Sequence, residues 1–239
     1  MIAAATADWR PTDFTGEAAV KIGGLVAAYG LDAPFLRVYA GDGAVFAVMD
    51  GDAVLWGDSD EARLFLTMDP TVRRVRTDEH NATALAAVWQ TEAAVGDVMT
   101  PAIPMARSPL AVPLTPREYW EVISPVFADT LPPFDAWYTD VSHRVRHGVC
   151  RLLGIKADGR PVAAAMTTAE DGDRWLIGAV ATLPDYRGRG YAAALVTTLA
   201  AMGQQSGKSV LLSPKNECAK RLYEKCGFVV CGRYGQVAR

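Results

Sequence analysis

The segment that most restricts the fold lies late in the chain. It reads Thr182-Leu183-Pro184-Asp185-Tyr186-Arg187-Gly188-Arg189-Gly190-Tyr191-Ala192-Ala193-Ala194-Leu195. A strand ends here, a glycine-bearing turn follows and a helix begins. The first turn of a helix leaves backbone N–H groups unpaired, and with the helix dipole these form an anion site. Gly188 and Gly190 let a diphosphate approach the backbone with no Cβ in its way. Arg187 and Arg189 add charged donors. The P-loop pattern G-x-x-x-x-G-K-[ST] is absent. Gly188-Arg189-Gly190 with Ala193 gives G-x-G-x-x-A, a weak match to the dinucleotide fingerprint. Against that fold, the preceding strands are joined by tight hairpins, and too little chain follows to complete a doubly wound sheet. Taken alone, the glycine pair equally suits a tight turn with solvated arginines.

A second segment adds to the first. A strand over 209–213 leads through Pro214-Lys215-Asn216 into a helix over 217–226, closed by Gly227-Phe228. Asn216 stands where a helix cap belongs and Gly227 where a C-terminal glycine belongs. Asn216 and Tyr223 are just under two helical turns apart and share a face. On its own, Tyr223 suits an amphipathic core as well as a catalytic role.

The rest of the chain divides around Thr100 to Pro116, which holds Pro101, Pro104, Pro109, Pro113 and Pro116. No regular helix or central strand runs through so many prolines, so the stretch reads as an ordered linker or crossover. Before it, the pattern predicts a helix over 17–29, strands over 35–40, 44–49 and 53–56 joined by Gly-Asp turns, and a helix over 59–68 capped by Ser59. A strand over 72–76 and an apolar run over 83–90 follow. After the linker come helices over 115–129 and 135–147, then strands over 149–156, 161–168 and 174–182. The two halves echo each other loosely, without a residue-by-residue alignment. Antiparallel strands ending in a β-α-β-α-β passage predict an α/β fold of the α+β kind, a mixed sheet covered by helices.

Together, the two motif segments resemble the GNAT superfamily of acyl-CoA-dependent N-acetyltransferases. That family's pyrophosphate signature, R/Q-x-x-G-x-G/A, reads here Arg187-Gly188-Arg189-Gly190-Tyr191-Ala192, and Pro184-Asp185-Tyr186 matches the usual lead-in. Its last helix commonly carries N-x-x-A-x-x-L-Y-x-x-x-G-F. Asn216, Ala219, Leu222, Tyr223, Gly227 and Phe228 occupy those places. The resemblance covers about residues 115–239 and implies a catalytic domain there. The N-terminal module, residues 1–110, is similar in length and order to the degenerate acyltransferase-like module of glycine-N-acyltransferase-like proteins.

The resemblance further implies acetyl-CoA as acyl donor, no metal, and direct attack by a primary amine. The acceptor is then a small molecule or amino-acid-like compound. The pantetheine arm would bond the backbone of the strand ending Val180-Ala181-Thr182, and an N–H near Val180 would polarise the thioester carbonyl. The amides from Gly188 to Ala192 would hold the pyrophosphate, and Asn216 would touch the pantetheine. Tyr223 would protonate the leaving thiolate. Two other functions stay open: a CoA-binding sensor or assembly module without catalysis, and a peptide or protein N-acetyltransferase. Family members often end in a hairpin, whereas only Val229 to Arg239 remain here. The last strand is therefore expected to be short or absent, and its edge supplied by the N-terminal half or a partner chain.

Other residues carry weaker signals. Glu170, Asp171 and Asp173 are candidates for a general base, although turn chemistry also explains the two aspartates. His143 and His147 have i, i+4 spacing but no further ligand cluster, so a solvated basic face is the simpler reading. Asp135, Trp137, Tyr138 and Trp175 could line an acceptor pocket or, for the aromatics, fill a core. Cys218 and Cys226 read as small apolar filler.

Composition closes off other classes. Lys+Arg is 24 against Asp+Glu 27, a net charge of -3, which disfavours a nucleic-acid partner. Apolar residues at 50% exclude a disordered chain. No C-x-x-C pair suggests zinc or redox chemistry, no signal-peptide pattern opens the chain, and no apolar run approaches a membrane span. A cytoplasmic monomer or homodimer is the expectation.

Overall fold

The computed structural model describes residues 1–6 and 8–239. Two compact units divide the chain: Met1–Val98 together with Cys231–Arg239, and Met99–Val230.

The first unit begins with the short strand β1 (Ala3–Ala4) and helix α1 (Gly16–Tyr29). Strands β2 (Leu36–Gly41), β3 (Ala44–Met49) and β4 (Asp52–Gly57) form an antiparallel meander. Its turns are made by Asp42-Gly43 and Asp50-Gly51, all four at positive φ. That is the conformation tight hairpin turns demand, and it is why aspartate and glycine alternate there. Next come α2 (Asp60–Met68), β5 (Arg74–Thr77), α3 (Glu79–Trp89) and β6 (Ala94–Pro101). The apolar run over 83–90 is thus part of a helix. It starts at Asp78, whose carboxylate accepts the Asn81 N–H at 2.9 Å. Phe46, Leu55, Leu66 and Leu85 fill one core of the unit, and Ile22, Leu36 and Val45 a second.

The last strand departs from expectation. β12 (Phe228–Ala238) is a full 11-residue strand. Its end, Gly235 to Ala238, pairs antiparallel with Thr77 to Arg74 of β5. Gly235 permits this because an added Cβ would meet the Ala82 methyl at 2.3 Å and the Asp78 carbonyl at 2.8 Å. The C-terminal residues therefore supply a strand to the first unit; the expected open edge is absent.

The second unit contains β7 (Val112–Pro113), α4 (Pro116–Ile123), α5 (Phe134–Arg146), β8 (Leu152–Ala157), β9 (Arg160–Glu170), β10 (Arg174–Thr182), α6 (Tyr191–Gln205), β11 (Ser209–Leu212) and α7 (Glu217–Lys225). The strand order is β6-β11-β10-β9-β8-β7, with β10 and β11 parallel and the registered neighbours otherwise antiparallel. After the end of β6 at Pro101, the proline-rich stretch holds only the two-residue edge strand β7 before α4 begins, as the missing donors require. Thr115 and Glu118 form a reciprocal capping box at the start of α4. That helix stops at Ile123, earlier than expected, because Pro125 has no N–H to continue the ladder. The chain turns instead, and Phe127 N–H bonds the Ile123 carbonyl at 2.8 Å. α6 buries Leu195, Val196 and Leu199 completely. Each such side chain contributes roughly 1.5–3 kcal/mol, which fixes the helix on the sheet and so fixes the turn before it.

Candidate active site

The site begins with an irregularity in β10. β10 and β11 stay in register from Arg174↔Ser209 to Ile177↔Leu212, and then part. On the other side, the pairing with β9 jumps from Gly178↔Met166 to Ala181↔Ala164. This is a β-bulge, which leaves Ala179 and Val180 without registered partners on either neighbour. Ala179 sits at φ 46, an uncommon conformation for a residue with a Cβ.

Tyr119 of α4 holds that conformation. Its hydroxyl donates to the Ala179 carbonyl at 2.5 Å. Tyr119 is fully buried, and desolvation pushes its phenol well above the usual range, so it remains a donor. The Ala179–Val180 peptide is trans, so its C=O and N–H point in opposite directions. With the carbonyl drawn to Tyr119, the Val180 N–H faces the other way.

Where the strands part there is a cleft of about 620 Å³. One wall is Val126, Phe127, Thr130 and Leu131, from the turn after α4. Ile177 to Val180 of β10 form the floor, and Ser213, Lys215, Asn216, Ala219 and Tyr223 the other wall. Tyr223 is 7% exposed, and burial pushes its hydroxyl up to about 12, with Cys226 adding to the effect. It is therefore protonated throughout the neutral range and able to donate. Asn216 caps α7: its side-chain oxygen accepts the Ala219 N–H at 3.0 Å, leaving its NH2 group for other partners.

The turn before α6 has the features of an anion site. Gly188 and Gly190 have φ of +77° and +78°, and a Cβ at either would meet nothing within 4 Å. The backbone there is bare and accessible. Gly190 caps the helix with no side-chain hydrogen bond, and no acidic residue stands in the first turn. The opening N–H groups of α6, at Tyr191 and Ala192, thus meet no competing side-chain acceptor. Arg187 Nε donates to the Thr182 carbonyl at 3.1 Å, and Arg189 donates to the Asp185 carbonyl at 3.1 Å. These bonds order the turn, while both side chains stay exposed.

Of the residues the sequence singled out, Val180, Asn216 and Tyr223 line one cleft. Ala181 instead points into the core. Thr182 lies beyond the cleft lining, and its carbonyl is engaged by Arg187. The 187–192 turn follows directly on that strand. Tyr119, Phe127 and Lys215 were missed as site residues. No local pattern identifies them, since Tyr119 meets Ala179 from 60 positions away.

The general-base candidates have other work. Glu170 is buried against Arg151 and Thr167. Asp171 pairs with Arg174 at 2.6 Å and accepts the Asp173 and Arg174 N–H groups. None of Glu170, Asp171 and Asp173 lines the cleft. Asp135 and Tyr138 also lie outside it, while Trp137 and Trp175 are core residues. His143 and His147 stack at 4.0 Å near the end of α5. Among the described residues, no group of three or more His, Cys, Asp or Glu side chains could hold a metal ion. The cysteines are unpaired thiols; burial pushes Cys150 up to about 11 and raises Cys226, which suits inert filler, whereas Cys218, expected as filler too, is exposed.

Residues 116–228 match the family model described as Acetyltransferase (GNAT) family. Similar solved structures include a GCN5-related N-acetyltransferase from Kribbella flavida, at 17% identity over 92% of this chain and 93% of that one, TM-score 0.62. Another is a GCN5-related N-acetyltransferase from Sphaerobacter thermophilus, at 17% identity, 99% and 94% coverage, TM-score 0.58. A GNAT-family acetyltransferase from Colwellia psychrerythraea matches at 14% identity, 92% of each chain, TM-score 0.57. At these identities the likeness is one of fold. No curated protein matches the chain in sequence. Residues 116–228 thus form a GNAT-family acetyltransferase domain, an acyltransferase module within the chain. No helix among the described residues is long and apolar enough to cross a membrane.

Proposed function

We propose that the cleft between β10 and β11 binds acetyl-CoA and that the domain transfers the acetyl group to the primary amine of a small acceptor. One observation carries this reading. The unpaired bulge at Val180, the α7 cap Asn216 and the protonated Tyr223 share one cleft, while the helix start at Gly190 is open to an anion. The thioester, when bound, supplies an activated carbonyl and a thiolate leaving group.

The chain's own residues do the rest. Backbone N–H groups from Gly188 to Ala192, with Arg187 and Arg189, hold the pyrophosphate. The exposed edge of β10, from Val180 through Ala181 to Thr182, and the Asn216 NH2 group take the pantetheine arm. Its bonding to Thr182 shares a carbonyl with Arg187. The Val180 N–H stabilises negative charge on the carbonyl oxygen. Tyr223 delivers a proton to the departing sulfur. No carboxylate lines the cleft among the described residues, so the amine loses its proton to solvent. The volume suits a small molecule and falls within the usual range for such sites, and four unpaired thiols suit a reducing, cytoplasmic setting.

Calorimetric titration with acetyl-CoA, followed by thiol release against an amine panel, tests the reading. Binding and acceptor-dependent release are expected. Binding without release on any amine would leave a CoA sensor, and absence of binding would end both readings.

A further inference from the structure

Two features of the cleft have no role in holding acyl-CoA as described above. Ser213 Oγ is buried from solvent and has no hydrogen-bond partner. Lys215 stands two residues later and lines the same cleft, with the buried Pro214 between them. The Lys215 ammonium lies 5.6 Å from the Phe127 ring centroid. Phe127 belongs to the wall opposite β11, so the charge faces across the cleft. No acidic side chain lines the cleft, and no carboxylate pairs with Lys215 among the described residues.

Lys215 is exposed at the cleft and its charge meets no carboxylate there, which favours an anion and disfavours a second cation; the unpartnered Ser213 hydroxyl lies two residues before it. The lining around it, Val126, Phe127 and Leu131, is apolar. A polyamine or an aminoglycoside, with several ammonium groups and no acid, finds no carboxylate here. An amine that also carries a carboxylate and an apolar body finds all three complements.

We propose that Lys215 and Ser213 form a carboxylate-binding subsite, so that the acceptor is an apolar compound bearing both an amine and a carboxylate. Lys215 takes the carboxylate, the Ser213 hydroxyl donates a second hydrogen bond once rotation about its Cα–Cβ bond brings it out of its buried position, and the Val126–Leu131 wall covers the apolar part. The inference rests on the acetyl-transfer reading of the same cleft.

The test uses matched acceptors that differ only in the carboxylate, such as phenylalanine and phenethylamine or leucine and isoamylamine, with spermidine as the polycation. The full-length protein is compared with Lys215→Ala and Lys215→Arg. The carboxylate-bearing member of each pair is expected to show about 10- to 100-fold higher kcat/KM, the worth of a hydrogen bond to a charged group. Lys215→Ala should remove that preference by raising the acceptor KM, and Lys215→Arg should restore most of it. Calorimetry with CoA separates two kinds of failure. If CoA does not bind, the acetyl-transfer reading falls and takes this proposal with it. If CoA binds and neutral amines or spermidine are acetylated as well as the amino acids, only the carboxylate subsite is overturned. A Lys215→Ala effect on the acetyl-CoA KM alone would also overturn it, placing the lysine on the donor.

Discussion

Each unit contains a pair of parallel strands that separate at one end. In the first unit β4 and β5 are registered from Asp52↔Arg74 to Val54↔Arg76. In the second, β10 and β11 are registered from Arg174↔Ser209 to Ile177↔Leu212. In both, the earlier strand leads through a turn into a helix. The two turns have opposite chemistry. At α2, Ser59 Oγ already accepts the Ala62 N–H, and Asp60 and Glu61 sit in the first turn. Arg63 is held by Asp58 and Asp60, each at 2.5 Å. At α6 there is no side-chain cap, no acid, and two bare glycines. The helix dipole favours negative charge at both starts. One helix satisfies it with its own side chains, and the other leaves it open, where we propose the pyrophosphate binds. The fold alone does not leave a helix start open to an anion; the residues at that start do.

The largest effect should come from giving α6 the chemistry of α2. Gly190→Asp adds an acid and forces a Cβ into a left-handed conformation. We expect CoA affinity to fall about 100-fold or more, from lost dipole complementarity plus backbone strain. Calorimetry measures this directly, and a loss under twofold would break the comparison. Stoichiometry sharpens it, because one CoA per chain is expected and a second equivalent would show that the α2 start also binds.

Tyr223→Phe comes next, with kcat expected about 100-fold lower and the acetyl-CoA KM little changed. The sign with pH follows from a hydroxyl raised to about 12. The donor is fully present at neutral pH and is lost only as pH approaches that value. Wild-type kcat should carry an alkaline falling limb tied to Tyr223, absent from the phenylalanine variant. A pH–rate comparison checks it.

Tyr119→Phe removes one oxygen and frees the Ala179 carbonyl. About a tenfold loss of kcat is expected, near the worth of one hydrogen bond, with CoA affinity held. Steady-state kinetics with calorimetry separate these, and an equal fall in affinity would make Tyr119 a general structural residue.

The smallest effect is Ser59→Ala. It should lower stability by about 1 kcal/mol through loss of the α2 cap, and leave kcat unchanged. Denaturant unfolding and turnover test the two halves of that statement.

What was legible in the sequence was local. Ser59, Asn216 and Thr115 announce helix starts because a cap needs only its own next three residues. Arg187 to Ala192 is legible for the same reason. The acceptor wall was hidden, because Phe127 meets Lys215 from 88 positions away. β12 was hidden too. Gly232, Arg233 and Gly235 weaken the local strand pattern, and the reason for Gly235 lies at Asp78 and Ala82. The proline that shortens α4 was visible but outweighed by the apolar run around it.

The chain enters the second unit within β6 and returns to the first within β12. A ribosome releases the chain in order, and domains generally fold as they emerge. The second unit can gather its residues while synthesis continues. The first, though begun earlier, lacks the strand that pairs with β5 until residues 231–239 have left the exit tunnel. The first unit, begun earlier, is therefore completed after the second.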